Sequence, residues 1–247
     1  MNALRAAWRL VRALGHGLRG WFTIAFLFPR MSQSQRDTTV QAWAQRMLQV
    51  LGIGLQVRGT APQRGPLMLV ANHISWLDIL VMHAARHCRF VSKSDVKHWP
   101  LIGRLSTGGG TLYIERASRR DAMRVVHRMA DSLRAGDILG VFPEGTTSDG
   151  VTLLPFHANL IQAAISADAP VLPVGLSFID AATGQTSLSA SYIGDDTLVG
   201  SLWRTLAGPS ITAVVTYGQP QRSQGRDRRT WARDLRCAVE ALRAATR

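Results

Sequence analysis

Leu67-Met68-Leu69-Val70-Ala71-Asn72-His73-Ile74-Ser75-Trp76-Leu77-Asp78 reads as a strand running into a polar turn and then a helix. Leu67–Ala71 predicts the strand, and Ile74–Arg86 predicts the helix. The alternation continues outward in both directions. Leu55–Arg58, Arg89–Ser92, Thr111–Glu115, Ile138–Phe142, Val171–Phe178 and Ile211–Tyr217 read as further strands. Arg119–Ala135, His157–Ala167 and Arg229–Ala245 read as helices, with a shorter one at Leu101–Ser106. Strands alternating with helices imply an α/β fold, a mostly parallel sheet flanked by helices on both sides. Residues Ala181–Pro209 follow neither period and are left unplaced. With 247 residues, 46% of them hydrophobic, the chain is long enough to bury a substantial core.

The turn after a strand's carboxyl end is where ligands gather in an open α/β sheet. His73 and Asp78 stand five residues apart there. On one continuous helix that spacing points them roughly 140° apart. They meet only if His73 sits on the turn and Asp78 on the helix's first turns. A carboxylate against one imidazole nitrogen fixes the tautomer and leaves the other nitrogen to take a proton. The same spacing also suits a histidine capping a helix whose first turn carries an acid. Phe142-Pro143-Glu144-Gly145-Thr146-Thr147-Ser148 follows another apolar strand. Gly145 permits a tight turn, and Glu144 either binds a hydroxyl or anchors that turn. Gly110-Thr111-Leu112-Tyr113-Ile114-Glu115-Arg116 sets Arg116 just past a strand, where it can hold a phosphate or pair with a neighbouring acid.

Charge narrows the partners. Lys and Arg number 29 against 16 Asp and Glu, a net +13, and lysine occurs only at Lys93 and Lys97. Such a field suits nucleic acid, an anionic membrane or phosphorylated substrates. No helix-turn-helix, zinc finger or RNA-recognition aromatic pair is written in the chain, which argues against nucleic acid. Residues 1–36 hold six arginines and no acid. Their most apolar stretch, Trp21–Phe28, is far short of the roughly 20 residues that span a bilayer. It sits late and is followed by Pro29-Arg30-Met31, which argues against a cleaved signal. Leu4, Trp8, Val11, Leu18, Phe22 and Ala25 share one helical face, with Arg5, Arg12 and Arg19 along another. This pattern predicts an amphipathic helix lying in the headgroup region, the alternative being a helix packed on the protein's own core. A second helix capped by Ser32 or Ser34 ends at Gly52. The chain thus divides into a membrane-associating helical hairpin (1–53) and an α/β domain (54–247).

Other features carry less. Cys88 and Cys237 form no CxxC motif, so a reducing compartment is the simpler reading. His83 and His87, beside Cys88, have a metal-compatible spacing but no evident third ligand, and no metal is assigned. Gly108-Gly109-Gly110 lacks the following Lys-Ser/Thr of a P-loop. The basic segment Arg222–Arg247, with eight arginines against three acids, reads as a solvated helix face.

Taken together, Asn72–Asp78, Gly110–Arg116, Phe142–Thr146 and Val171-Leu172-Pro173-Val174 resemble four ordered blocks of the glycerolipid acyltransferase family, which includes the 1-acylglycerol-3-phosphate acyltransferases. The resemblance implies the glycerolphosphate acyltransferase-like fold. It implies His73 as general base on the free hydroxyl of a lysolipid, Asp78 orienting it, and Arg116, Glu144, Gly145 and Thr146 at the acceptor site. It implies acyl-CoA or acyl carrier protein as co-substrate, no metal or other cofactor, and a place on the cytoplasmic face of the inner membrane of a bacterium. The expected reaction is acylation of 1-acyl-sn-glycerol-3-phosphate to phosphatidate. The sequence departs from that pattern at Thr147, where phosphatidate-forming enzymes usually carry Arg, and near His157 and Asn159, where they usually have Lys and Gly. A lyso-ornithine lipid O-acyltransferase is therefore the alternative acceptor reading. A hydrolase using the same pair and a non-catalytic membrane-binding protein are the alternatives of other classes.

Overall fold

The computed structural model describes residues 2–114 and 119–245. Arg116 and Glu115 fall outside them. Two helices, α1 (Asn2–Phe22) and α2 (Gln33–Leu51), open the chain. Between them lie a π-helical turn (Thr23–Leu27) and a 3₁₀ turn (Phe28–Arg30). Of the two serines that could cap α2, Ser32 does so: its hydroxyl accepts from the Gln35 N–H while the Gln35 side chain accepts from the Ser32 N–H. Gly52, at φ +73°, ends the helix in the left-handed conformation that costs glycine nothing.

The rest is a seven-stranded sheet in the order β1-β7-β6-β2-β5-β3-β4. Its strands are β1 (Gly54–Arg58), β2 (Leu67–Ala71), β3 (Arg89–Lys93), β4 (Leu112–Ile114), β5 (Ile138–Val141), β6 (Val171–Asp180) and β7 (Ile211–Tyr217). All neighbouring pairs are parallel except β6 and β7. The connecting helices are α3 (Leu77–Ala85), α4 (Ile102–Gly108), α5 (Arg119–Arg134), α6 (Ala158–Ser166), α7 (Leu198–Ala207) and α8 (Arg228–Ala244).

Both faces of the sheet are covered, which is why β2 is apolar throughout rather than alternating. Leu67, Leu69 and Ala71 face a core shared with Leu48 and Leu51 of α2 and Leu77 and Val81 of α3. Met68 and Val70 face the opposite core, with Met129 of α5, Ile161 of α6 and Trp231 of α8. The second helix of the hairpin is thus part of the sheet's own core. Gln41 and Gln45 of α2 also donate to the last carbonyls of α3, at Ala84 and Ala85.

The first helix behaves differently. Ala6 is buried and Leu10 and Ala13 pack against the core, yet Leu4, Trp8, Val11, Leu18 and Phe22 are 46–80% exposed. The apolar face read from the sequence therefore points away from the protein. No helix among the described residues is long and apolar enough to cross a membrane.

Three expectations change. The helix expected from Ile74 begins at Leu77, because the Ile74 and Ser75 N–H groups donate to the Asp78 carboxylate instead of continuing a helical ladder. The unplaced segment 181–209 contains α7, capped by the Thr197 side chain. The C-terminal basic helix is not simply a solvated face, since Arg236 donates to Leu153 and Leu154 carbonyls and buried Arg243 to the Gly150 carbonyl.

His83 and His87 stack 5.0 Å apart and share a hydrogen bond between their Nδ1 atoms, while His87 Nε2 lies 3.3 Å from Asp37 of α2. Among the described residues no group of three His, Cys, Asp or Glu is placed to hold a metal ion. Burial, and secondarily the charge of His87, pushes the His83 imidazole down to about 3. The unfolded chain takes up that proton near pH 6.5, so this contribution to stability is present above 6.5 and is lost as pH falls toward 3. Between pH 7 and pH 5 the loss should be about 2 kcal/mol. Urea unfolding of wild type and His83→Gln at both pH values checks this. The variant's stability should fall by about 2 kcal/mol less across the interval, and equal slopes would refute the linkage.

Candidate active site

His73 lies on the turn between β2 and α3, at the carboxyl edge of the parallel strands. Asn72, buried just before it, donates to the Leu176 carbonyl and accepts from the Leu176 N–H, tying the end of β2 to β6. Asp78, on the first turn of α3, folds back toward that turn. Its Oδ2 lies 2.8 Å from His73 Nδ1 and accepts from the N–H groups of Ile74 and Ser75 at 2.6 and 2.8 Å. Asp78 is fully buried, while the His73 side chain keeps 18% of its surface. The two residues five apart in sequence therefore meet as the strand–turn–helix geometry requires.

Phe142 stacks on the His73 ring with centroids 4.1 Å apart and planes 10° apart. That contact holds the imidazole plane while Asp78 holds its Nδ1 edge. Glu144 is buried, and both its oxygens are used: Oε1 accepts from the His73 N–H at 2.6 Å and Oε2 from the Leu154 N–H at 2.9 Å. These two bonds make Glu144 an anchor of the turn. Ser148 completes the brace, donating from its backbone N–H and its hydroxyl to the His73 carbonyl. The Pro-Glu-Gly turn is thus fastened to both sides of the His73 peptide.

The remaining expected acceptor residues are placed as follows. Gly145, at φ +73°, lies against the His157 ring, where a Cβ would sit 2.9 Å from Cδ2. Thr146 is exposed. Thr147 donates its hydroxyl to the Tyr192 carbonyl, and Tyr192 N–H donates to the Ile74 carbonyl, so the 181–197 loop is pinned beside the His73 turn. Sequence reasoning quoted Phe142 and Ser148 within the Pro-Glu-Gly motif without giving either a role, and it missed Tyr192. It also missed Arg236 and Arg243, although their spacing of seven placed them on one helix face.

Residues 54–177 match the family model described as Acyltransferase. The chain is also 37% identical over 228 residues to the lyso-ornithine lipid O-acyltransferase of Pseudomonas aeruginosa, covering 92% of this chain and 87% of that one. It belongs to the acyltransferase family. Within that family it is 38% identical over 183 residues to the 1-acyl-sn-glycerol-3-phosphate acyltransferase of Neisseria gonorrhoeae, covering 74% and 71% of the two chains. The fold is that of the Thermotoga maritima 1-acyl-sn-glycerophosphate acyltransferase, with a TM-score of 0.65 at 20% identity over 96% of this chain and 98% of that one.

In this acyltransferase, burial raises the Glu144 carboxyl above its usual range, while the two N–H donors and the charges of His73 and Arg243 oppose the rise. Glu144→Gln keeps the shape but has only one oxygen for two N–H donors. One N–H then faces an amide NH₂, a loss of about 1–3 kcal/mol. The His73 peptide relaxes with it, and small displacements of a reacting group are costly. The expected result is a fall in kcat of roughly 10-fold or more with KM nearly unchanged. Initial rates and a melting curve on one preparation test both halves.

Proposed function

We propose that this enzyme transfers a fatty acyl group from the thioester of acyl-CoA or acyl carrier protein to the free hydroxyl of a lysolipid. The observation that carries the reading is the His73–Asp78 pair. A fully buried carboxylate occupies Nδ1 and leaves Nε2 of a partly exposed imidazole for the acceptor. His73 takes the hydroxyl proton as the oxygen attacks the thioester carbon. The tetrahedral adduct collapses with cleavage of the C–S bond, and the proton passes from His73 to the departing thiolate. An ester forms, a thioester is consumed, and no metal or resident cofactor enters any step.

Lysophosphatidate is the first acceptor, with Arg116 as the cation for its phosphate. Lyso-ornithine lipid is the second reading, and a specific observation favours it. Thr147, where phosphatidate-forming enzymes usually carry Arg, spends its hydroxyl on the Tyr192 carbonyl and offers no charge to a phosphate. The Pseudomonas relative named for that acceptor matches 92% of the chain. The exposed apolar face of α1 supports peripheral attachment to an anionic membrane, on the cytoplasmic face of the inner membrane, where acyl donors are made.

The test offers labelled acyl-CoA and acyl carrier protein with lysophosphatidate, other lysophospholipids and lyso-ornithine lipid. Product with a lysolipid acceptor supports the reading, and the preferred headgroup decides between the two acceptors. Release of free fatty acid without acceptor, or no turnover with any pair, would refute it.

A further inference from the structure

A groove of about 890 Å³ lies on the side of the molecule away from His73. Its floor is Arg89, at the start of β3, and Asp137, just before β5, so it sits at the amino edge of strands whose carboxyl edge carries the catalytic turn. Its walls are the hairpin turn, through Ile24 and Phe28, and the segment leading into α4, through Trp99. The walls meet closely: a Cβ on Gly108 of α4 would fall 2.4 Å from Ile24. Leu101 is also in the wall and holds φ +61°, a conformation a leucine rarely adopts.

The groove's charge is one-sided. Arg36, Arg89, Lys97 and Arg104 face a single acid, Asp137. Asp137 is already engaged by Arg89 and by the Ser132 hydroxyl. Arg36 uses its Nε on the Phe28 carbonyl, and Arg104 lies over the Trp21 ring at 5.3 Å. Among the described residues none of Arg36, Lys97 or Arg104 pairs with a carboxylate. Phe22, Phe26 and Leu27, each about half exposed, border the hairpin turn that forms one wall. Three cations with no carboxylate partner among the described residues, beside an exposed apolar ridge, match a ligand with a phosphate at one end and hydrocarbon at the other.

We propose that this groove is a second lipid site, which holds the phosphate of an anionic membrane lipid while the lipid's chains lie along the ridge at the end of α1. The site is separate from the acyl acceptor's and fixes how the hairpin seats on the bilayer. It rests on the membrane reading of α1. The other source of the same phosphate chemistry is the nucleotide end of acyl-CoA.

The experiment measures binding of the full chain to vesicles of phosphatidylcholine alone and with added phosphatidylglycerol. Lys97→Gln/Arg104→Gln removes two exposed groove charges, and Arg228→Gln/Arg229→Gln removes two exposed charges from α8. The groove pair should weaken binding to the anionic vesicles about tenfold or more and leave the neutral vesicles unaffected. The α8 pair should change little, and Lys97→Arg/Arg104→Lys should restore binding. Equal losses in both pairs would reduce the effect to net charge and overturn the proposal. A raised KM for acyl-CoA with unchanged vesicle binding would assign the phosphate to the donor and overturn it as well. If wild type binds neither vesicle, the membrane reading of α1 fails first; if it binds both and the groove pair binds equally well, only the groove assignment fails.

Discussion

His73→Ala should lower kcat/KM for acyl transfer by about 10²–10⁴-fold while the protein remains folded. The range is that of a general base whose removal leaves binding and electrostatic stabilisation in place. Folding should survive because the contacts that fix this turn belong to the backbone. Glu144 accepts from the His73 N–H and Ser148 donates to the His73 carbonyl, and alanine keeps both groups. The losses are the stacked contact with Phe142 and one of three hydrogen bonds to Asp78. Together these should cost about 1–3 kcal/mol. The measurement pairs initial rates with circular dichroism and a melting curve. A folded variant retaining more than about a tenth of wild-type activity would remove His73 from the role of base.

The parts of this arrangement that were legible in the sequence share a property: each is carried by local spacing. The His73–Asp78 pair could be read because a turn followed by a helix is the one local geometry that joins residues five apart. The strands at Leu67–Ala71 and Ile211–Tyr217 could be read from short apolar runs bounded by polar turns. The distant partners of Glu144, Ser148 and Thr147 could not, because each is a backbone group 45 to 75 residues away, and backbone donors and acceptors leave no residue-type signal. The direction of β7 was equally silent. An apolar strand buried on both faces reads the same whether it runs parallel or antiparallel to its neighbour. The start of α3 was misplaced because apolar spacing continues through Ile74, while the Asp78 carboxylate diverts the local N–H groups. Arg116, the expected phosphate clamp, lies outside the described residues.

Asp78→Asn and Asp78→Ala should separate what the carboxylate's charge does from what its shape does. Oδ2 accepts three hydrogen bonds, two of them from the fixed N–H groups of Ile74 and Ser75. In Asp78→Asn the amide oxygen must take the Oδ2 position, because an NH₂ there would face two N–H donors. His73 Nδ1–H can then still donate to it, so the tautomer with Nε2 free is kept. In the proposed mechanism, what is lost is the negative charge beside the imidazolium that forms as the hydroxyl proton is taken. The NH₂ falls where Oδ1 now lies, buried without a hydrogen-bond partner, at a cost of about 1–3 kcal/mol. The expected result is a fall in kcat of about 10²-fold in a protein that is folded but less stable, a smaller loss than a tautomer reversal gives. Asp78→Ala removes the acceptor as well as the charge and strands three donors around one small methyl group. Its stability should fall by about 3–5 kcal/mol, and the surviving folded fraction should be about as inactive as His73→Ala. Kinetics and urea unfolding of both variants decide the matter. Equal activity in the two would show that charge alone matters, whereas an Asp78→Asn variant with wild-type kcat would show that Asp78 only shapes the turn.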